Sequence, residues 1–197
     1  RIFVGQRLVI PGQGASQPTA TATPAPTGQP TQTTPTSNPP PASPGGFELG
    51  GHVDTFAFPD KMKYAGMFWV KKQIRWSPGM SPDTAAGAIS DAHAKGFKIL
   101  LGVVGNPGDI SGGANYDAFA AFVGGLARLG ADGIEVWNEM NIDREWPAGQ
   151  INPASYTDLL RRSYNAIKGA NGNTLVISGA PAPTGAEGAF GLDHVWN

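Results

Sequence analysis

Cysteine is absent from all 197 residues, so neither disulfides nor thiolate metal sites are open to this chain. Charge is scarce and balanced: 14 Lys and Arg against 15 Asp and Glu leave a formal net charge of −1. Nucleic acid and anionic membrane both want a basic surface, so neither is expected as a partner. No apolar run approaches the roughly 20 residues of a membrane-spanning helix. There is no Gly-x-Gly-x-x-Gly turn after the first strand-like run and no phosphate loop, which argues against a nucleotide site. The chain opens on Arg1 without a signal peptide. It reads as cut from something longer, so that absence carries no information about secretion.

What is present changes character twice. From Gln13 to Gly46 there is no charged residue, no aromatic and no aliphatic larger than Ala, and nine of the 18 prolines fall here. Such a stretch buries too little apolar surface to offset its ordering entropy, and its prolines favour extended polyproline II. Residues 13–46 are therefore expected to be a disordered, semi-rigid Pro/Thr-rich linker. Thr/Pro-rich spacers are typical of secreted multidomain proteins, so an extracellular location is expected. Before the linker, residues 1–12 carry Val-Gly-Gln-x-Leu-x-Ile-Pro. This pattern resembles the closing segment of a LysM module, which implies attachment to N-acetylglucosamine-containing cell-wall glycan. Most of such a module would lie upstream of Arg1.

From residue 47 to 197 strands and helices alternate. Apolar runs predict strands at Phe47–Val53, Phe68–Trp76, Phe97–Val104, Gly133–Asn138 and Leu175–Ser178. Between them, Ser81-Pro82-Asp83 opens a helix that stops near Gly96, and Asn115 caps another that exits at Gly130. Asn152-Pro153 starts a third, with Tyr156, Leu159, Leu160 and Ile167 on one face. Repeated β-α units with apolar strands give an α/β fold, a parallel sheet covered by helices. Polar residues crowd the C-terminal ends of successive strands, where a (β/α)₈ barrel carries its chemistry. Five strands in about 150 residues make a partial TIM barrel, since a whole one takes eight strands and roughly 250 residues.

The most informative stretch is Gly-Ile-Glu-Val-Trp-Asn-Glu-Met-Asn at 133–141. A buried strand runs straight into Asn138 and Glu139, placing a carboxylate where burial is costly unless the group is paired or used. Such a position suits a general acid.

On the fourth strand, Glu-Val-Trp-Asn-Glu-Met-Asn resembles the clan-A retaining glycoside hydrolases, closest to the β-xylosidase-like and cellulase-like branches. Trp69–Trp76 on strand two and Ser178–Pro181 closing strand five support the likeness. The resemblance implies that Glu139 is the acid/base, that Asn138 binds the sugar 2-hydroxyl, and that the nucleophile follows at strand seven, beyond residue 197. It implies neither metal nor organic cofactor. Relatives often place Arg on strand two where this chain has Lys71, so that contact with substrate is expected to differ. Asp143, Glu187 and Asp193 lack the strand-end setting of Glu139 and are not expected to be the nucleophile. The fragment alone is expected to be inactive and to leave a raw strand edge at strand five.

Other residues at the same rim read two ways. Lys71 and Arg75, with Trp69 and Gln73, share one parity on strand two and form either a barrel mouth or an interior polar layer. His52 lines a sugar subsite or is structural. Asn106 contacts sugar hydroxyls or serves the Asn106-Pro107-Gly108 turn. Trp146 stacks on a sugar or packs beneath its loop, whose Asp143, Arg144 and Glu145 pair among themselves. Glu135 lies deeper than Glu139 and is expected to be a buried partner for a basic residue. The expected function is hydrolysis of O-glycosidic bonds in a β-linked glycan. The alternatives are a non-catalytic glycan-binding or scaffold protein on a degenerate barrel, and an α/β enzyme of other chemistry.

Overall fold

The computed structural model describes residues 46–183. The LysM-like segment, all but the last residue of the linker, and Glu187 and Asp193 lie outside the described residues.

Five strands form one parallel sheet: β1 Leu49–His52, β2 Met67–Arg75, β3 Lys98–Val104, β4 Gly133–Val136 and β5 Leu175–Ser178. Helices join them in turn: α1 Pro59–Tyr64, α2 Ala86–Ala94, α3 Tyr116–Arg128 and α4 Pro153–Ala170. Spatial order equals chain order, β1-β2-β3-β4-β5. A doubly wound sheet reverses direction at a switch point, whereas a barrel never does. The chain is thus an α/β protein whose described part is a partial (β/α)₈ barrel.

The two faces of the sheet divide by parity. Val70, Ile99, Leu101, Val103, Ile134 and Val136 point to the helix layer and are completely buried. Each contributes about 1.5–3 kcal/mol by leaving water. They meet Phe119, Val123 and Leu126 of α3 and Leu159 and Ile167 of α4, which also fall at helical spacing and are also sealed from solvent. The opposite, inner face carries Trp69, Lys71, Gln73 and Arg75 of β2, with Leu100, Gly102, Glu135 and Ile177 beside them in register. It stays open: Leu175 and Ile177 are exposed there and help line a hollow of about 450 Å³. Among the described residues β5 pairs only with β4.

The helix ends follow local chemistry with two departures. Ser81 Oγ accepts the Asp83 N–H, but the first turn it caps, Pro82–Ala85, is a tight 3₁₀ turn feeding α2. Asn152 caps α4 by accepting the Ser155 N–H at 2.8 Å. Asn115 precedes α3 with a left-handed backbone (φ 58°) and spends its carboxamide on the Asp109 carbonyl instead of a helix N–H. α1 carries no sequence signal of a side-chain cap, and none forms. The fourth strand ends at Val136, two residues earlier than its apolar run suggests, because Trp137 turns to φ 68°.

Candidate active site

The backbone turns sharply where β4 ends. Trp137 (φ 68°) and Glu139 (φ 43°) both sit in the left-handed region, a conformation costing of order 1–3 kcal/mol for a residue with a side chain. Packing and hydrogen bonds hold it. The Trp137 N–H donates to the Val103 carbonyl, and its indole N–H donates to the Glu145 carbonyl at 2.7 Å. The Glu139 N–H donates to the Ala180 carbonyl at 2.9 Å, tying the turn to the end of β5. Asn141 reinforces the same join: its carboxamide accepts the Ala182 N–H at 2.7 Å and donates to the Ala182 carbonyl at 2.9 Å.

Tyr156 on α4 clips the two strand ends from below. Its hydroxyl donates to the Val136 carbonyl at 2.9 Å and accepts the Gly179 N–H at 2.7 Å. Burial pushes this phenol well above its ordinary pKa; the Gly179 contact pulls back part of that shift, and the nearby Glu135 charge adds to it.

The turn delivers Glu139 to the C-terminal rim of the sheet, with about a quarter (27%) of its side chain exposed. Oε2 of Glu139 accepts from Arg144 Nη2 at 3.0 Å. Asn138 is half-buried, makes no hydrogen bond among the described residues, and lines a hollow of about 140 Å³. His52, Lys71, Gln73, Glu135 and Trp137 line the same hollow, so the ends of β1, β2 and β4 converge there.

Lys71 is not free in that hollow. Its ammonium reaches across β3 to Glu135 on β4, and the two form an ion pair. The crossing is possible because Gly102 lies between them on β3. A Cβ at 102 would sit 3.0 Å from Glu135 Oε2 and 3.1 Å from Lys71 Cε. Glu135, 8% exposed, is the buried partner of a basic residue, as its depth and parity imply.

Three other rim residues serve the scaffold. Arg75 is absent from the hollow's lining; its Nη1 donates to the Gly105 carbonyl at 3.2 Å, just beyond the end of β3. Asn106 is exposed and works in its turn, accepting the Asp109 N–H on its carbonyl and donating its carboxamide to the Asp109 carboxylate at 3.3 Å. Trp146 must be corrected outright as a sugar-stacking platform. It is 1% exposed and packs against Tyr116, Trp137 and Tyr156, with its indole N–H on the Gln150 carbonyl and Ser155 Oγ. An aromatic ring with neighbours on three sides has no face left for a ligand.

Two contributors escape a reading of sequence alone. Arg144 reaches back five residues to Glu139, although Asp143 and Glu145 flank it more closely. Gln150 stitches the rim loops together, accepting the Gly112 N–H at 2.7 Å and donating to Ser111 Oγ at 2.8 Å. Among the described residues no cluster of His, Asp and Glu is placed to hold a metal ion, and no helix is long and apolar enough to cross a membrane.

Comparison with known proteins agrees at the level of fold. No family model and no curated protein matches the chain. A solved structure does: Thermotoga maritima Cel5A, described in complex with cellobiose, superposes with a TM-score of 0.51 at 20% identity. The match covers 66% of this chain and 45% of that one, so the chain spans less than half of its structural neighbour. At this identity the likeness is one of fold alone, that of a partial (β/α)₈ barrel.

Proposed function

We propose that this chain is part of a retaining β-glycosidase or endo-glycanase in which Glu139 is the acid/base. The observation that carries the reading is the strained turn at the end of β4. It presents Glu139 on the rim and Asn138 into a polar hollow shared with His52 and Gln73. In a barrel, the C-terminal ends of the strands are where catalytic groups gather.

The chemistry runs in two halves. Glu139 gives its proton to the glycosidic oxygen as the sugar–oxygen bond breaks, and that oxygen takes the bonding pair. A second carboxylate, about 5 Å away in such enzymes, has meanwhile bonded to the anomeric carbon. Water then displaces it, passing a proton back to Glu139. Asn138 would hold the 2-hydroxyl, and His52 would border the same subsite. Lys71 acts there through its ion pair with Glu135. Asp143, exposed in the loop after Glu139, is a poor nucleophile candidate. In this reading the nucleophile ends strand seven, beyond residue 197, and the 197-residue chain alone is expected to be inactive. Secretion and attachment to wall glycan through a LysM module belong to the same reading, supported by the sequence of residues 1–46.

Glu139→Gln in the protein at its full natural length is expected to abolish hydrolysis of β-linked glycans while glycan binding persists. Unchanged turnover would remove the assignment.

A further inference from the structure

Arg144 has a place in the site that neither the fold nor the acid/base assignment requires. Its side chain is 74% exposed, yet its guanidinium lies between two carboxylates, Glu139 Oε2 at 3.0 Å and Glu145 Oε1 at 3.6 Å. The backbone that carries it is fixed from beneath. The Glu145 and Trp146 N–H groups both donate to the Ile142 carbonyl, the Ile142 N–H donates to the Glu139 carbonyl, and the Trp137 indole holds the Glu145 carbonyl. A long side chain on a pinned loop, braced on one side by Glu145, is a device for holding the other side.

We propose that Arg144 is the positioning residue for Glu139 in the water-attack half of the reaction. This rests on the reading of Glu139 as the acid/base. The ion pair engages the ionised carboxylate, which is the form that takes a proton from water. With Oε2 held by the guanidinium, Oε1 is the oxygen turned to the incoming water. That water loses one proton to Oε1 as its oxygen bonds to the anomeric carbon, and the nucleophile's carboxylate leaves with the old bonding pair. Arginine suits this role because it has five donors, no acceptor, and a charge that proteins do not titrate. It therefore orients Glu139 without intercepting the proton. Lysine at 144 would keep the charge but offer a point contact where arginine offers a planar fork. Because the pair is mostly solvated, its loss should barely change stability.

The test uses the protein at its full natural length and a panel of 2,4-dinitrophenyl β-glycosides of glucose, xylose and N-acetylglucosamine and of their β-linked di- and trisaccharides, so that exo- and endo-acting enzymes are both served. Such leaving groups need no protonation, so breakdown of the glycosyl-enzyme limits kcat, while kcat/KM reports its formation. Arg144→Ala is expected to lower kcat and KM together, by about fivefold, the size an exposed ion pair supports, with kcat/KM unchanged. Added azide, a nucleophile that needs no base, should restore kcat. Arg144→Lys should fall between. Glu139→Ala serves as the reference and should show the same pattern more strongly, again relieved by azide. If Glu139→Ala behaves so and Arg144→Ala matches the parent, or loses kcat/KM in equal measure, the role of Arg144 is overturned while that of Glu139 stands. If azide fails to relieve Glu139→Ala, or the parent turns over none of the panel, both fall.

Discussion

Replacing Gly102 with alanine probes the inner face of the barrel with a single methyl group. The added Cβ would stand 3.0 Å from Glu135 Oε2, 3.1 Å from Lys71 Cε and 3.7 Å from Lys71 Nζ. The first two separations are too short for comfortable contact, so one partner must retreat. Glu135 has little room, with 11% of its side chain exposed, whereas Lys71, at 32%, can swing into the hollow. The ion pair would then stretch and leave a buried carboxylate less well compensated. Overpacking of this kind costs about 1–3 kcal/mol, and the stiffer unfolded chain of alanine returns about 0.4–1 kcal/mol. The net expectation is a loss of about 1–2 kcal/mol. Urea denaturation of the chain should show a lower midpoint at unchanged slope. In a Lys71→Ala background the same substitution should cost at least about 1 kcal/mol less, because the lysine stem no longer crosses that spot. A neutral Gly102→Ala, or an identical cost in both backgrounds, would refute the bridge over β3.

Trp146→Ala should destabilise the chain by about 3–5 kcal/mol, the cost of emptying a fully buried aromatic site; a change within about 0.5 kcal/mol in the same denaturation assay would restore it as a surface ring. Alkaline stability should track two phenols. Burial lifts Tyr116 to about 12, and lifts Tyr156 as well, while phenols of the unfolded chain ionise near about 10. The folded state therefore binds more protons above that pH, so stability is complete below about pH 10 and declines as pH rises toward about 12. Urea midpoints measured across that window should fall for the parent and fall less for Tyr116→Phe and Tyr156→Phe.

Much of this fold is legible residue by residue. β-branched runs mark β2 to β5, and Asn152-Pro153 marks α4 through a capping bond that forms as its chemistry suggests. Glu135 is legible too, because parity and depth alone demand a basic partner. The missed features depend on contacts distant in sequence or on backbone states without a local signature. Nothing in Trp137 or Glu139 announces a positive φ; bonds from Val103 and Ala180 impose it. Trp146 sits in a loop of charges and looks exposed until Tyr116, Trp137 and Tyr156 close around it from α3, the β4 turn and α4. Arg144 has three acidic residues within reach along the chain; Glu145 beside it is a legible partner, but only the curve of the turn brings in Glu139, five residues back. Lys71 looks like a ligand contact until the absence of a side chain at Gly102 lets it cross to Glu135.

The acid/base role of Glu139 is tested most directly by the dependence of catalysis on the leaving group. In the protein at its full natural length, kcat/KM should be compared between a β-linked oligosaccharide and its dinitrophenyl glycoside, before and after Glu139→Ala. Loss of the proton donor is expected to lower the oligosaccharide value by about 10²–10⁴-fold while the activated glycoside changes by less than about tenfold. Equal losses on both substrates, or none on either, would contradict the assignment of Glu139.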